Sequence, residues 1–154
     1  MTDPAPAPET GTIARQHERL FETVRSIEEM LPIVAQRNEA KALQHALRSL
    51  LDYLSDQLHQ HFSAEEQDDY FPRIAAREPR LARKVAELVR DHVELRALAA
   101  GLAEQGRKAH RSSDWAQISL QFWQLRERLA WHEREENEVA FQVHNVDLGA
   151  ASDG

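Results

Sequence analysis

Six side chains in this sequence have the types and spacing to hold metal ions: His17, His61 with Glu65, His92, and His132 with Glu136. Residues four apart on a helix project side by side, so each His-x-x-x-Glu pair aims an imidazole and a carboxylate at one point. A lone histidine on an apolar face reads as a hydrogen-bonded core residue. Four at a common depth with two glutamates, and no Lys or Arg at the matching positions, are costly to bury unless a cation joins them. Neutral imidazoles and carboxylates are borderline-hard donors that suit iron, manganese or zinc. If both glutamates bridge, each of two metals receives two histidines and two carboxylate oxygens, and a bridging oxide or hydroxide supplies a fifth donor. At least one position then stays open. Structural zinc prefers a closed four-coordinate shell, so the pattern reads as two redox-active iron ions, with zinc or manganese suiting it less well.

Those residues need elements that bring them to one level. Apolar positions recur at three- and four-residue steps, the period of helices with one buried face. Four stripes emerge, each interrupted by one of the four histidines. The first is Ile13, His17, Leu20, Val24, Ile27, Leu31, with Pro32 expected to kink or end it soon after. The second is Leu43, Leu47, Leu50, Leu54, Leu58, His61, Glu65, stopping before Phe71-Pro72. The third opens at Pro79 and runs Leu81, Val85, Leu88, His92, Leu95, Ala99, Leu102 to about Gly106. The fourth follows Ser112-Ser113-Asp114, good N-cap residues, and runs Ile118, Phe122, Leu125, Leu129, His132, Glu136, Val139. No alternating β-branched runs suggest strands. The expected fold is all-α: an up-down-up-down four-helix bundle with a di-metal site in its core.

The spacing fits that topology. His17 to His61 is 44 residues and His92 to His132 is 40, each a trip along one helix and back down its neighbour. At about 1.5 Å per residue such a trip reaches roughly 30 Å and returns to the same level. His61 to His92 is 31 residues, a shorter trip round the other end, so the layer lies nearer the Gln67 to Glu78 loop. His45, His59, His110 and His144 fall off the stripes and are not expected to be ligands. Trp115, Trp123 and Trp131, with Phe21, Phe62 and Phe122, read as core and helix-seam packing, and Phe62 and Trp131 could also keep water from the site. Tyr53, two turns before His61, is left outside the ligand set.

Composition narrows the rest. One domain suits 154 residues. The absence of cysteine excludes disulfides, thiolate metal sites and thiol catalysis. With 26 acidic and 19 basic side chains the net charge is -7, and no Lys/Arg cluster offers a surface to nucleic acid or an anionic membrane. No apolar run approaches the roughly eighteen residues of a membrane span and no export signal opens the chain, so it reads as cytoplasmic. Residues 1–11, rich in proline, and 148–154 are expected to be disordered tails around a bundle over 12–147.

The ordered set His17, His61/Glu65, His92, His132/Glu136, with the strings His61-Phe62-Ser63-Ala64-Glu65-Glu66, Tyr70-Phe71-Pro72 and Glu135-Glu136-Asn137-Glu138, resembles the hemerythrin-like, or HHE cation-binding, family. The resemblance spans about residues 12 to 145. It implies a non-haem di-iron centre, oxo- or hydroxo-bridged and carried by two glutamates, reactive toward dioxygen, nitric oxide or peroxide. The chain departs from oxygen-carrying members at Arg96 and Leu88, where a second histidine would stand one turn from His92. It departs again at Asn137, where an aspartate would follow His132. With no cysteine, it is also not expected to follow the members that repair iron-sulfur clusters through a cysteine-containing domain. Three functions are therefore kept: binding or sensing dioxygen or nitric oxide, enzymatic decomposition of peroxide or another small oxidant, and a metal-dependent iron-sensing module. The expected partner is a small diatomic ligand or peroxide.

Overall fold

The structure, a computed structural model, describes residues 8–37, 40–67 and 70–152, with side chains described between 11 and 144. It is helical throughout: α1 Pro8–Gln36, α2 Lys41–Glu65, a short α3 Phe71–Arg77, a 3₁₀ turn Pro79–Leu81, α4 Ala82–Lys108, and α5 Ser112–Ser152. No strand occurs among the described residues. Helix α1 packs on α2 and α5, and α4 packs on α2 and α5, which closes a four-helix ring of alternating direction. The expected bundle is present, and α3 caps α4 at one end.

The apolar stripes meet along the bundle axis. Leu20, Val24, Ile27, Leu31, Leu54, Leu58, Phe62, Leu95, Leu102, Trp115, Ile118, Phe122 and Leu129 belong to one buried cluster, and Phe71, Leu81, Val85, Leu88 and Val139 form a second, smaller one. Along α4, Val85 and Leu88 lie in the small cluster and Leu95 in the large one, with His92 between them. Along α5, Leu129 and Val139 flank His132 and Glu136 in the same way. A polar layer is thus sandwiched between two apolar ones.

Several boundaries differ from the sequence expectation. Helix α1 does end soon after Pro32, at Gln36, as expected. The Gln67 to Glu78 loop contains α3, with Pro72 in its first turn, where the missing N–H needs no partner. Pro79 opens a 3₁₀ turn, and α4 starts three residues later. Helix α1 begins at Pro8 and α5 reaches Ser152, inside both expected tails; residues 1–7 and 153–154 lie outside the described residues. Leucine and alanine in Leu148–Ser152 favour this extension of α5. Asp114, one of the expected capping residues, ties down the start of α5 by accepting the backbone N–H groups of His110 and Arg111.

Candidate metal centre

Each helix delivers its donors for a local reason. On α2, His61 and Glu65 are one turn apart, and His61 Nε2 lies 3.6 Å from Glu65 Oε1. On α4, His92 continues the buried stripe, bringing its Nε2 within 3.3 Å of that same Glu65 oxygen and 3.2 Å of His132 Nε2. On α5, His132 Nε2 is 3.7 Å from Glu136 Oε2. Two groups of three result: Glu65, His92 and His132, and His61, Glu133 and Glu136, with ligand atoms in each within 4.8 Å of one another. Glu65 also approaches His61 of the second group, and Glu136 also approaches His132 of the first. Each of these two carboxylates therefore stands between the groups.

All six of these side chains are buried, Glu65 at 0% exposure. His61 Nε2, both oxygens of Glu65, Glu133 Oε1 and Glu136 Oε2 have no hydrogen-bond partner. Buried polar atoms left unpaired are expensive, and so many converging on one layer fit a site for cations.

The outward ring nitrogens face polar side chains. His92 Nδ1 is 3.3 Å from Glu66 Oε1, and Arg96 donates to the other oxygen of Glu66 at 2.9 Å. His61 Nδ1 is 3.4 Å from Gln16 Oε1, and His132 Nδ1 lies 3.5 Å from Asp91. A proton on Nδ1 would leave an Nε2 lone pair for a metal; without one, the Nε2 atoms of His92 and His132 share a hydrogen bond and His132 Nδ1 has no hydrogen-bond partner. Arg96, which stands where oxygen carriers would have a histidine, thus orients His92 through Glu66. Burial drives His61 down to about 4 and His92 to about 2, and it lowers His132 against the opposing pull of Asp91. The imidazoles are neutral at pH 7, as ligands must be. Burial pushes Glu136 up to about 7.

His17 is the exception among the expected residues. It belongs to neither group; its Nε2 donates to the Glu133 carboxylate, and its side chain is 37% exposed against 9% for Glu133. That hydrogen bond raises the His17 pKa. Glu133 went unnoticed in the sequence, although the run His132-Glu133-x-x-Glu136 carried a signal: glutamates three apart share a helix face. Tyr53 is exposed, as are His45, His59, His110 and His144. Trp123 and Trp131 are also exposed and lie beneath Arg126 and Lys84, so only Trp115 of the three tryptophans is core.

The sequence profile of the hemerythrin HHE cation-binding domain matches residues 10–143. The chain belongs to this hemerythrin family. No curated protein and no solved structure matches it. Membership carries cation binding with it, and the two buried His/Glu groups are where this hemerythrin domain has the donors for it.

Access to the hemerythrin site is one-sided. Phe62 stacks on His92 with ring centroids 4.0 Å apart and meets His132 edge-on, while Phe71 of α3 lies 5.8 Å from His92. The His61 side instead borders a cavity of about 320 Å³ lined by Ile13, His17, Tyr70, Glu133, Glu136 and Asn137 among others. In it the Tyr70 hydroxyl donates to Glu136 Oε1 at 3.4 Å. Burial raises the Tyr70 pKa, keeping the phenol protonated as a donor. No helix among the described residues is long and apolar enough to cross a membrane.

Proposed function

We propose that this hemerythrin-like chain is a non-haem di-iron protein that binds or senses a small oxidant, dioxygen or nitric oxide. His61, Glu65, His92, His132 and Glu136 hold the iron pair, with the His17–Glu133 hydrogen-bonded pair as the source of the remaining donor. The observation that carries this reading is the pair of buried donor groups joined by Glu65 and Glu136, with His61 Nε2, both Glu65 oxygens, Glu133 Oε1 and Glu136 Oε2 unpaired. Iron bound there supplies one-electron redox chemistry and an open coordination position. The side chains supply the rest. Phe62 and Phe71 exclude water from the His92 side, Glu66 and Asp91 hold the imidazole rings, and the cavity beside His17 admits a molecule of few atoms.

Metal analysis of the native protein with its visible spectrum tests the site: two irons per chain and the bands of an oxo- or hydroxo-bridged pair are expected, and a single zinc would overturn it. Anaerobic reduction followed by titration with dioxygen or nitric oxide should change that spectrum reversibly. Silence toward both gases sinks the binding or sensing role.

Peroxide decomposition is the second reading, favoured by one observation. Tyr70 places a protonated hydroxyl in the access cavity against Glu136, where a proton donor is needed to assist peroxide cleavage. Oxygen release from hydrogen peroxide should then be faster for wild type than for Tyr70→Phe, and equal rates exclude this role for Tyr70.

A further inference from the structure

Building on the two-ion reading above, we propose that Glu133, not His17, is the fourth protein donor to the ion on the His61 side, and that His17 steadies this carboxylate from outside. Helix geometry brings Glu133 to the site. Successive residues turn by roughly 100°, so with His132 at the origin Glu136 lies at about 40° and Glu133 at about 100°. One stretch of α5 thus fans three donors across the layer: His132 toward the first group, Glu136 in the middle, Glu133 toward the second.

The surroundings separate the two candidates. Glu133 is buried and shares a group with His61 and Glu136, whereas His17 is partly exposed and shares none. The ring nitrogen that the other three histidines turn inward, Nε2, is in His17 engaged with Glu133. Of the two Glu133 oxygens, Oε2 meets His17 and Oε1 is buried without a partner. A carboxylate held on one oxygen by an imidazole and left free on the other is arranged as a metal ligand with its supporting histidine, the reverse of the assignment that spacing alone suggests.

The two ions then have unlike surroundings. With Glu65 and Glu136 shared, the inner ion would be held by two imidazoles and two carboxylates, and the ion beside the cavity by one imidazole and three carboxylates. Three carboxylates also offset three of the four charges of two divalent ions, which eases the burial of Glu65, Glu133 and Glu136 together. The harder donor set lies at the solvent-facing position, where an oxidant arrives.

The test compares wild type, Glu133→Gln, Glu133→Ala and His17→Ala, each checked for helicity by circular dichroism. Each is loaded anaerobically with ferrous iron and, in parallel, with cobalt(II). Bound metal per chain is counted after gel filtration, and affinity is measured by competition with a chelator. Wild type should hold two ions. Glu133→Gln, which keeps the shape and an acceptor for His17, should hold one, as should Glu133→Ala. His17→Ala should keep two, with the weaker affinity falling about tenfold, as for loss of a supporting partner. The inference is overturned if Glu133→Gln keeps two ions at wild-type affinity, or if His17→Ala loses an ion as Glu133→Gln does. Either result leaves the two-ion reading intact. Wild type binding fewer than two ions would instead remove that reading, and this inference with it.

Discussion

Metal removal combined with acidification should unfold this bundle far more readily than either change alone. In the metal-free protein His61 titrates near 4 and His92 near 2, against an ordinary value of 6.5. Between pH 6.5 and 4.5 both rings are therefore neutral when folded and become charged on unfolding, so the unfolded chain binds two more protons. Glu136 works the other way: with a folded value of about 7 against 4.5, it carries a proton in the folded state across that window and loses it on unfolding. For these three groups together the difference is about one proton taken up on unfolding, and the lowered His132 increases it. His17 is raised, so the stability it contributes is lost as pH rises through its folded value, above this window. One proton corresponds to about 1.4 kcal/mol per pH unit, or roughly 3 kcal/mol across the window, with stability falling as pH falls. That is a large share of a stability of about 5–15 kcal/mol. Urea unfolding of chelator-stripped protein, followed by circular dichroism between pH 6.5 and 4.5, measures it directly. The iron-loaded protein should show a shallower decline while its imidazoles remain ligated. A metal-free stability that stays flat or rises on acidification would refute the assignment of buried neutral imidazoles.

Glu65→Leu should abolish loading of both ions yet raise the melting temperature of the metal-free protein, because it removes a fully buried carboxylate with both oxygens unpaired, a group costing roughly 1–3 kcal/mol or more. A lower melting temperature would show that Glu65 is satisfied without metal. Glu66→Ala and Asp91→Ala should each leave helicity unchanged and weaken metal binding about 10- to 100-fold in chelator competition, since they orient His92 and His132 without entering the layer. Phe62→Ala should cost about 3–5 kcal/mol in urea unfolding, because it empties a fully buried position stacked on His92; a loss under 1 kcal/mol, roughly the scale of a surface change, would contradict that packing.

Much of the fold is legible in the sequence because a 3.6-residue period sustained over several turns has few alternatives. The long stripes identified the four main helices, and the similar excursions of 44 and 40 residues between histidines located the common layer. Helix α3 was hidden because seven residues are too few for a period to declare itself. Trp123 and Trp131 were misread by residue type. Phe122, Leu129 and His132 already claim the inward face of α5, and the two indoles lie outside it, covered by cationic side chains. Glu133 was hidden for the opposite reason. Pairing His132 only with Glu136, four residues on, passes over its direct neighbour, but Glu133 shares a face with Glu136, and one helix here presents adjacent residues to two groups.

The sequence repeat, His17 with His92 and His61 with His132, suggests two equivalent halves, and the bundle breaks that equivalence with one short element. Helix α3 lies against α4, so Phe71 closes over His92 while Phe62 stacks on its other side. Among the described residues no such cover protects His17, whose ring meets Phe21 at 4.7 Å and His61 at 6.1 Å and borders the cavity. The histidine under cover keeps its Nε2 among the donors, whereas the uncovered one turns it to Glu133, and that carboxylate stands in the interior in its place. A site built from two similar helical hairpins thereby acquires a sealed half and an open half. In the proposed function, the sealed half anchors the iron pair and the open half, with Tyr70, Glu133 and Glu136 at its mouth, meets the oxidant.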